Sequence, residues 1–197
     1  VSADIAARLA VYDPGNEYSV PYMWFTTGIA YNVAKVRERL GDKAIDTWDI
    51  SFKPENMRKL ADCGVYFLDS PEDIMAIAAK YAGFSPDLRD ADGIRRAAQV
   101  VTQVRSSVRK FHSSEYINAL ANGDICLAIG WAGDSFQARN RAREAGAGID
   151  IAYVVPREGT LMSIDAIAIP KDAQHVTEAH KFIDFLLRPE IAARNSG

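Results

Sequence analysis

An aromatic residue and a carboxylate follow the most apolar segment of the chain. Residues 125–129 form a nearly unbroken apolar run, which predicts a strand covered on both faces. Trp131 and Asp134 come directly after it, and in open α/β sheets ligands bind at the carboxyl ends of strands. Both residues are therefore candidates for binding a ligand. The alternative is that Asp134 only caps a helix predicted to begin at Ser135 and that Trp131 belongs to the core.

A second carboxylate lies inside an apolar segment. Asp165 interrupts residues 161–169, which otherwise predict a strand. A carboxylate among apolar side chains is unfavourable unless it has a partner. A purely structural role is therefore the weaker interpretation of Asp165.

Other motifs do not indicate catalysis or a bound metal. His112 precedes Ser113, but side chains adjacent in the chain point apart and no oxyanion motif accompanies them. His175 and His180 lack a convincing set of further zinc ligands. The chain contains no glycine-rich phosphate-binding motif. We therefore expect no enzymatic activity, no metal and no cofactor.

The elements that would position these residues alternate between strand and helix. This order predicts an α/β fold with a mainly parallel sheet flanked by helices. Ser113 or Ser114 is a candidate N-cap for the helix that follows it. The predicted strands are residues 20–31, 65–68, 125–129, 150–155 and 161–169, and the predicted helices are residues 3–11, 33–40, 54–61, 69–81, 93–104, 114–121, 135–145 and 176–187.

Composition excludes some classes of partner. The chain has 197 residues, 48% of them hydrophobic, and a formal net charge of −3. This charge argues against a nucleic-acid partner and against binding to an anionic membrane surface. No apolar run is long enough to span a bilayer, so the protein is not expected to be membrane-embedded. The two cysteines, Cys63 and Cys126, are compatible with one disulfide or with two buried thiols.

Four segments carry a resemblance to a protein family. They read VPYMWFTTGIAYN (20–32), CGVYFLDSPED (63–73), FHSSEYINALANGDICLAIGWAGD (111–134) and VPREGTLMSIDAIAIP (155–170). In this order and spacing they resemble the periplasmic polyamine-binding proteins of ABC importers. The resemblance implies a fold like that of type II periplasmic binding proteins and a receptor for a putrescine-like polyamine. It further implies a periplasmic location and an ABC transporter permease as partner.

The resemblance also implies roles for individual residues. Carboxylates would pair with the ammonium groups and an aromatic wall would contact the ligand's methylene chain. Asp73 stands where the family usually has Glu, and its side chain is shorter. The alternative to a ligand contact is that Asp73 is only an acid at the N-terminus of a helix. Ser163 stands where a large aromatic is common, which would leave a wider cleft suited to a longer or substituted amine. The implied ligand-binding residues are Asp73, Ser113, Trp131, Asp134, Ser163 and Asp165.

Family members often join the positions of Cys63 and Cys126 by a disulfide, and the resemblance therefore predicts this bridge.

The resemblance also predicts a division into lobes. Residues 20–156 would form a contiguous second lobe, whereas residues 1–19 and 157–197 would belong to a first lobe that lies mostly outside this chain. An incomplete cleft is expected to bind a polyamine with millimolar affinity at best.

Alternatives from other classes remain open at this point. The effector domain of a transcription regulator can share this fold, and so can an enzyme.

An incomplete first lobe would leave residues 161–169 and the face formed by Phe182, Ile183, Phe185 and Leu186 uncovered. We therefore predict a homodimer, and exchange of residues 20–31 between the two copies is one way to form it.

Overall fold

The structure is a computed structural model, and it describes residues 2–195. The described chain forms two compact units, one made of residues 26–161 and the other of residues 2–25 and 162–195. The larger unit is one uninterrupted segment, and the smaller unit is made of the two segments that flank it. Both divisions lie a few residues beyond those predicted from the sequence, after residues 19 and 156.

The sheet is mixed rather than mainly parallel. The described strands are β1 (Ser19–Asn32), β2 (Val65–Phe67), β3 (Lys110–Phe111), β4 (Leu127–Trp131), β5 (Ile151–Val154) and β6 (Met162–Ala168). They run in the order β3-β2-β4-β1-β5, and β6 also pairs with β1. β2 is parallel to β3 and to β4, whereas β1 is antiparallel to β4 and to β5.

One reversed strand accounts for the mixture. Because β4 and β5 are both antiparallel to β1, they run in the same direction as each other, and β2 and β3 share that direction. The alternation of strand and helix therefore produces the parallel arrangement expected of it. β1 runs the other way because it enters the larger unit from the smaller one and lies between β4 and β5. The α/β fold class is confirmed.

Every helix predicted from periodicity is present in the part of the chain that the structure describes. The described helices are α1 (Ala3–Leu9), α2 (Val33–Leu40), α3 (Asp49–Phe52), α4 (Pro54–Leu60), α5 (Pro71–Tyr81), α6 (Ala91–Val104), α7 (Glu115–Ala121), α8 (Ala132–Glu144), α9 (Val176–Leu186) and α10 (Pro189–Asn195). The short helices α3 and α10 are not predicted by the sequence pattern, and Trp48, the residue before α3, is fully buried. None of the helices in residues 2–195 is both long and apolar enough to cross a membrane.

The core of the larger unit surrounds β4. Leu127, Ala128 and Ile129 are each 0% exposed, as expected of a strand covered on both faces. The indole of Trp48 donates to the carbonyl of Gly159 at 2.9 Å, so the last loop of the unit is attached to the core.

The smaller unit buries less of its apolar surface. On α9, Ile183 is buried, but Phe182 and Phe185 remain 60% and 42% exposed. The prediction of an uncovered helix face therefore holds for the two phenylalanines and is wrong for Ile183. The side-chain amide of Asn195, on α10, donates to the hydroxyl of Tyr22 at 3.0 Å.

A disulfide joins Cys63 and Cys126, as the resemblance predicts. Their Cα atoms are 5.5 Å apart, within the range that a disulfide spans. Cys63 precedes β2 and Cys126 precedes β4, and these two strands are paired in the sheet. The bridge therefore ties the two central parallel strands together next to the point where each begins.

We predict that reducing this disulfide lowers the free energy of unfolding by about 2–4 kcal/mol, because the bridge closes a long loop in the unfolded chain. Urea denaturation with and without a phosphine reductant measures the difference. A Cys63→Ala/Cys126→Ala double variant serves as the control and should not respond to the reductant. Two reactive thiols in denatured protein that had never been reduced would contradict the assignment.

Candidate ligand-binding site

The carboxyl ends of three parallel strands meet at one edge of the sheet. Ser70 and Asp73 follow β2, Ser113 follows β3, and Trp131 and Asp134 mark the end of β4. Because β3, β2 and β4 are neighbours in that order, these residues lie along the same edge. Such an edge is where ligands bind in open α/β sheets.

Trp131 and Asp134 occupy the junction between β4 and α8. Trp131 is the residue before the helix, and Asp134 lies in its first turn, where the helix dipole favours a negative charge. The Asp134 carboxylate accepts its hydrogen bond from the Tyr116 hydroxyl, at 2.9 Å, and accepts none from a backbone N–H within residues 2–195. The alternative interpretation, that Asp134 only caps the helix, therefore finds no support in its hydrogen bonds.

Burial controls the ionisation of the groups at this junction. It raises the pKa of Asp134 above its ordinary value, and the hydrogen bond from Tyr116 and the charge of Arg141 only partly oppose this effect. Burial and the nearby Asp134 charge also raise the pKa of Tyr116. Tyr116 is thus a neutral donor, and the negative charge of Asp134 is held in a partly desolvated place.

Asp73 is fixed by two hydroxyl groups. The Thr27 hydroxyl donates to Oδ1 at 2.9 Å, and the Ser70 hydroxyl donates to Oδ2 at 2.7 Å. Thr27 is fully buried on β1 and lies directly opposite Trp131 in the pairing of β1 with β4. One strand pair therefore connects the supports of the Asp73 carboxylate and of the Trp131–Asp134 junction.

Ser113 does not cap α7, and neither does the hydroxyl of Ser114. The imidazole Nδ1 of His112 accepts from the backbone N–H groups of Ser114 and Glu115, at 3.2 and 3.1 Å. His112 therefore provides the cap, which leaves Nε2 as the protonated nitrogen, 3.2 Å from Glu115. Within residues 2–195 the Ser113 hydroxyl forms no hydrogen bond, so it is available to a ligand.

Ser163 and Asp165 belong to the smaller unit. Both lie on β6, two residues apart and hence on the same face of the strand. Asp165 is exposed, and the expectation that it is a carboxylate enclosed by apolar side chains is wrong for the described chain. Ser163 is half-buried.

The candidate acids have no protein counter-ion. In the part of the chain that the structure describes, no Lys, Arg or His nitrogen lies within 4.0 Å of a carboxylate oxygen of Asp73, Asp134 or Asp165. The bonds to Asp73 and Asp134 come from neutral hydroxyl groups, which orient a carboxylate without cancelling its charge. Such a site can accept a cation.

Sequence reasoning missed Tyr116 and Thr27 as parts of the site. Tyr116 fits the helical periodicity of α7, and Thr27 fits the β-branched composition of β1, so each was assigned to an element and not to the site. The sequence does hold one signal for Tyr116. Gly130 interrupts an apolar strand, and an isolated glycine in a strand often marks a close approach by another group.

Comparison with known proteins identifies the family. Residues 3–196 match the model of the family described as bacterial extracellular solute-binding protein. The chain is 48% identical over 195 residues to the putrescine-binding periplasmic protein PotF of Escherichia coli, covering 98% of this chain and 53% of that protein. It is 43% identical over 197 residues to a putrescine/agmatine-binding protein of Pseudomonas aeruginosa, covering all of this chain and 54% of that protein.

A solved structure agrees with this result. The Tp0655 (TpPotD) lipoprotein of Treponema pallidum matches with a TM-score of 0.79 and 28% identity, over 98% of this chain and 57% of that one. The chain therefore belongs to the bacterial extracellular solute-binding protein family. It spans about half the length of the curated relatives that it matches.

We predict that Thr27→Val lowers the free energy of unfolding by about 1–3 kcal/mol, because valine keeps the shape of the side chain but removes the hydroxyl that donates to a charged group. Thr102→Val is the control, since the Thr102 hydroxyl bonds the carbonyl of Ala98 on an exposed helix surface. Urea denaturation at pH 7 measures both. Equal stabilities for the two variants would contradict the importance given to the bond between Thr27 and Asp73.

Proposed function

We propose that the protein carrying this sequence is a periplasmic receptor that binds a putrescine-like polyamine and delivers it to the permease of an ABC importer. The observation that carries the proposal is the charge of the site. Two carboxylates lie at the carboxyl edge of the sheet, beside an aromatic side chain, and are oriented by hydroxyl groups without a counter-ion. The names of the relatives support the choice of an amine as ligand.

The chemistry of a polyamine matches these features. Its ammonium groups each need a carboxylate, and its methylene chain needs an apolar wall such as the Trp131 indole. Asp134 is already partly desolvated before any ligand binds, as its raised pKa indicates. Exposed ion pairs contribute only about 0–1 kcal/mol, so a buried carboxylate is the more effective partner for an ammonium group.

Further ligand contacts are proposed for each unit separately, Ser113 in the larger unit and Ser163 and Asp165 in the smaller one. The unbonded hydroxyl of Ser113 would accept from an ammonium group at the same sheet edge as Asp134. Asp165 would bind an ammonium group from β6, and Ser163, on the same face of that strand, would leave room for a longer or substituted amine. Residues 26–161 would then form the second lobe of a two-lobed receptor, and the smaller unit would be part of the first lobe.

No observation favours the alternative functions. The relatives named above are named for the amines that they bind and not for a reaction, which supports the proposal that this protein is not an enzyme. An effector domain of a transcription regulator has no comparable support among them. The homodimer has no support in the comparisons either, and it stays a prediction.

We predict that Asp134→Asn and Asp165→Asn each lower the affinity for putrescine by more than tenfold, which corresponds to about 1.4 kcal/mol. Asparagine keeps the size of the side chain but removes the charge that pairs with the ammonium group. The variants are made in the intact protein that carries this sequence, and titration calorimetry measures binding. Asp172→Asn is the control, because it removes the same charge from an exposed position.

The melting temperatures of the Asp134→Asn and Asp165→Asn variants should stay close to that of the unaltered protein. The comparison therefore separates ligand binding from folding. If both variants bind putrescine as tightly as the unaltered protein does, the assignment of the binding site is wrong.

A further inference from the structure

Tyr116 connects three elements although it is completely buried. Its ring belongs to α7 and is 0% exposed, yet its hydroxyl reaches the junction of β4 and α8. There the hydroxyl oxygen accepts from the backbone N–H of Trp131 at 3.0 Å and donates to Oδ2 of Asp134 at 2.9 Å. A phenol has one proton, so its donation is committed to Asp134.

The strand has room for this ring only because residue 130 is glycine. A Cβ atom built on Gly130 would lie 2.5 Å from Cε2 and 2.8 Å from Cζ of Tyr116. Non-bonded carbon atoms do not approach each other this closely, so any other residue at position 130 would displace the Tyr116 ring. The ring therefore lies directly against the backbone of β4, which fixes the position of its hydroxyl.

The hydrogen bond leaves half of the carboxylate available. Oδ1 of Asp134 accepts no protein hydrogen bond in the part of the chain that the structure describes. The charged and titratable groups that act on Asp134 and Tyr116 are Arg141, on the same helix as Asp134, and Tyr153, on β5. The Arg141 guanidinium is bonded to the side-chain oxygen of Asn118 and forms no ion pair with Asp134.

We propose that Tyr116 is a positioning residue for ligand binding, which orients Asp134 through Oδ2 and leaves Oδ1 to accept the ammonium group of the ligand. A neutral donor suits this task better than a cation would. Lys or Arg at the same place would pair with the carboxylate and compete with the ligand, whereas a phenol stabilises the ionised form and leaves its charge. The inference rests on the proposed function, because it concerns the same site.

The test begins with protein that contains no ligand. The carboxyl carbon of Asp134 is followed by ¹³C NMR as the pH changes, in the intact protein and in its Tyr116→Phe variant. The bond from Tyr116 lowers the pKa of Asp134, so its loss should move the titration of Asp134 to higher pH. The affinity for putrescine at pH 7 should fall by about three- to tenfold, since the bond involves a charged group.

Tyr81→Phe is the matched control. The Tyr81 hydroxyl also donates to a carboxylate at 2.9 Å, that of Asp49, which lies outside the proposed site. This variant loses a chemically equivalent bond, and it should change neither the titration of Asp134 nor the affinity for putrescine. If Tyr116 contributed only to general stability, the Tyr116→Phe and Tyr81→Phe variants would show the same titration of Asp134 and the same affinity for putrescine.

A second substitution covers the case in which Tyr116→Phe does not fold. Replacing Tyr116 by 3-fluorotyrosine keeps the ring and the hydroxyl but makes the hydroxyl a stronger donor. The titration of Asp134 should then move to lower pH, opposite to the effect of phenylalanine. Opposite shifts in the two variants, or this shift alone if the phenylalanine variant is unfolded, support the proposal.

An unchanged titration of Asp134 in either folded variant would overturn the proposal. That result does not depend on the ligand, so it differs from a failure of the proposed function. If the intact protein binds no polyamine, the proposed function is wrong, and the role of Tyr116 in ligand binding is wrong with it. The titration of Asp134 would then report only the hydrogen bond.

Discussion

The pairing of β1 with β4 is the constraint on which the site depends. Thr27 and Trp131 face each other at the end of this pair. Thr27 bonds the Asp73 carboxylate, and the backbone of Trp131 bonds the Tyr116 hydroxyl, which in turn holds Asp134. A shift of one residue in this register would turn these side chains to the opposite faces of the sheet and separate both carboxylates from their supports.

The cost of this arrangement is electrostatic. Burial raises the pKa of Asp134, and the Asp73 carboxylate is held by hydroxyl groups alone. Helix starts and hydroxyl donors lower the cost but do not remove it, because none of them carries a full positive charge. A cationic ligand would supply that charge. Within residues 2–195, these acids have no positively charged protein partner. We therefore regard this missing counter-ion as the feature that suits the site to a cationic ligand.

Much of the fold could be predicted from the sequence because its signals are local. The apolar run before Trp131 predicts β4, and the alternation of elements predicts α/β architecture. The reversed direction of β1 could not be predicted, since it depends on where the chain enters the unit. The cap of α7 was assigned to the wrong residue for a similar reason: the His112 ring competes for the same N–H groups as the serine hydroxyls, and a sequence does not show which acceptor is closer.

Only part of the site could be predicted, again because sequence signals are local. Residues at strand ends, such as Trp131 and Asp134, follow from one segment of sequence. Their supports do not, because Tyr116 and Thr27 are distant in the chain and look like ordinary core residues. The sequence also did not predict that Asp165 is exposed. An apolar sequence predicts a strand, but it does not show whether other elements of the described chain pack against that strand.

The central claim is that a polyamine binds at the carboxyl edge of the sheet in the larger unit. The most direct measurement is a ¹H–¹⁵N NMR titration of the intact protein with putrescine, which follows the indole N–H signals. The signal of Trp131 should shift until the site is saturated, whereas that of Trp48, whose indole bonds Gly159 in the core, should stay in place. A Trp131 signal that does not move while calorimetry reports putrescine binding would contradict the account.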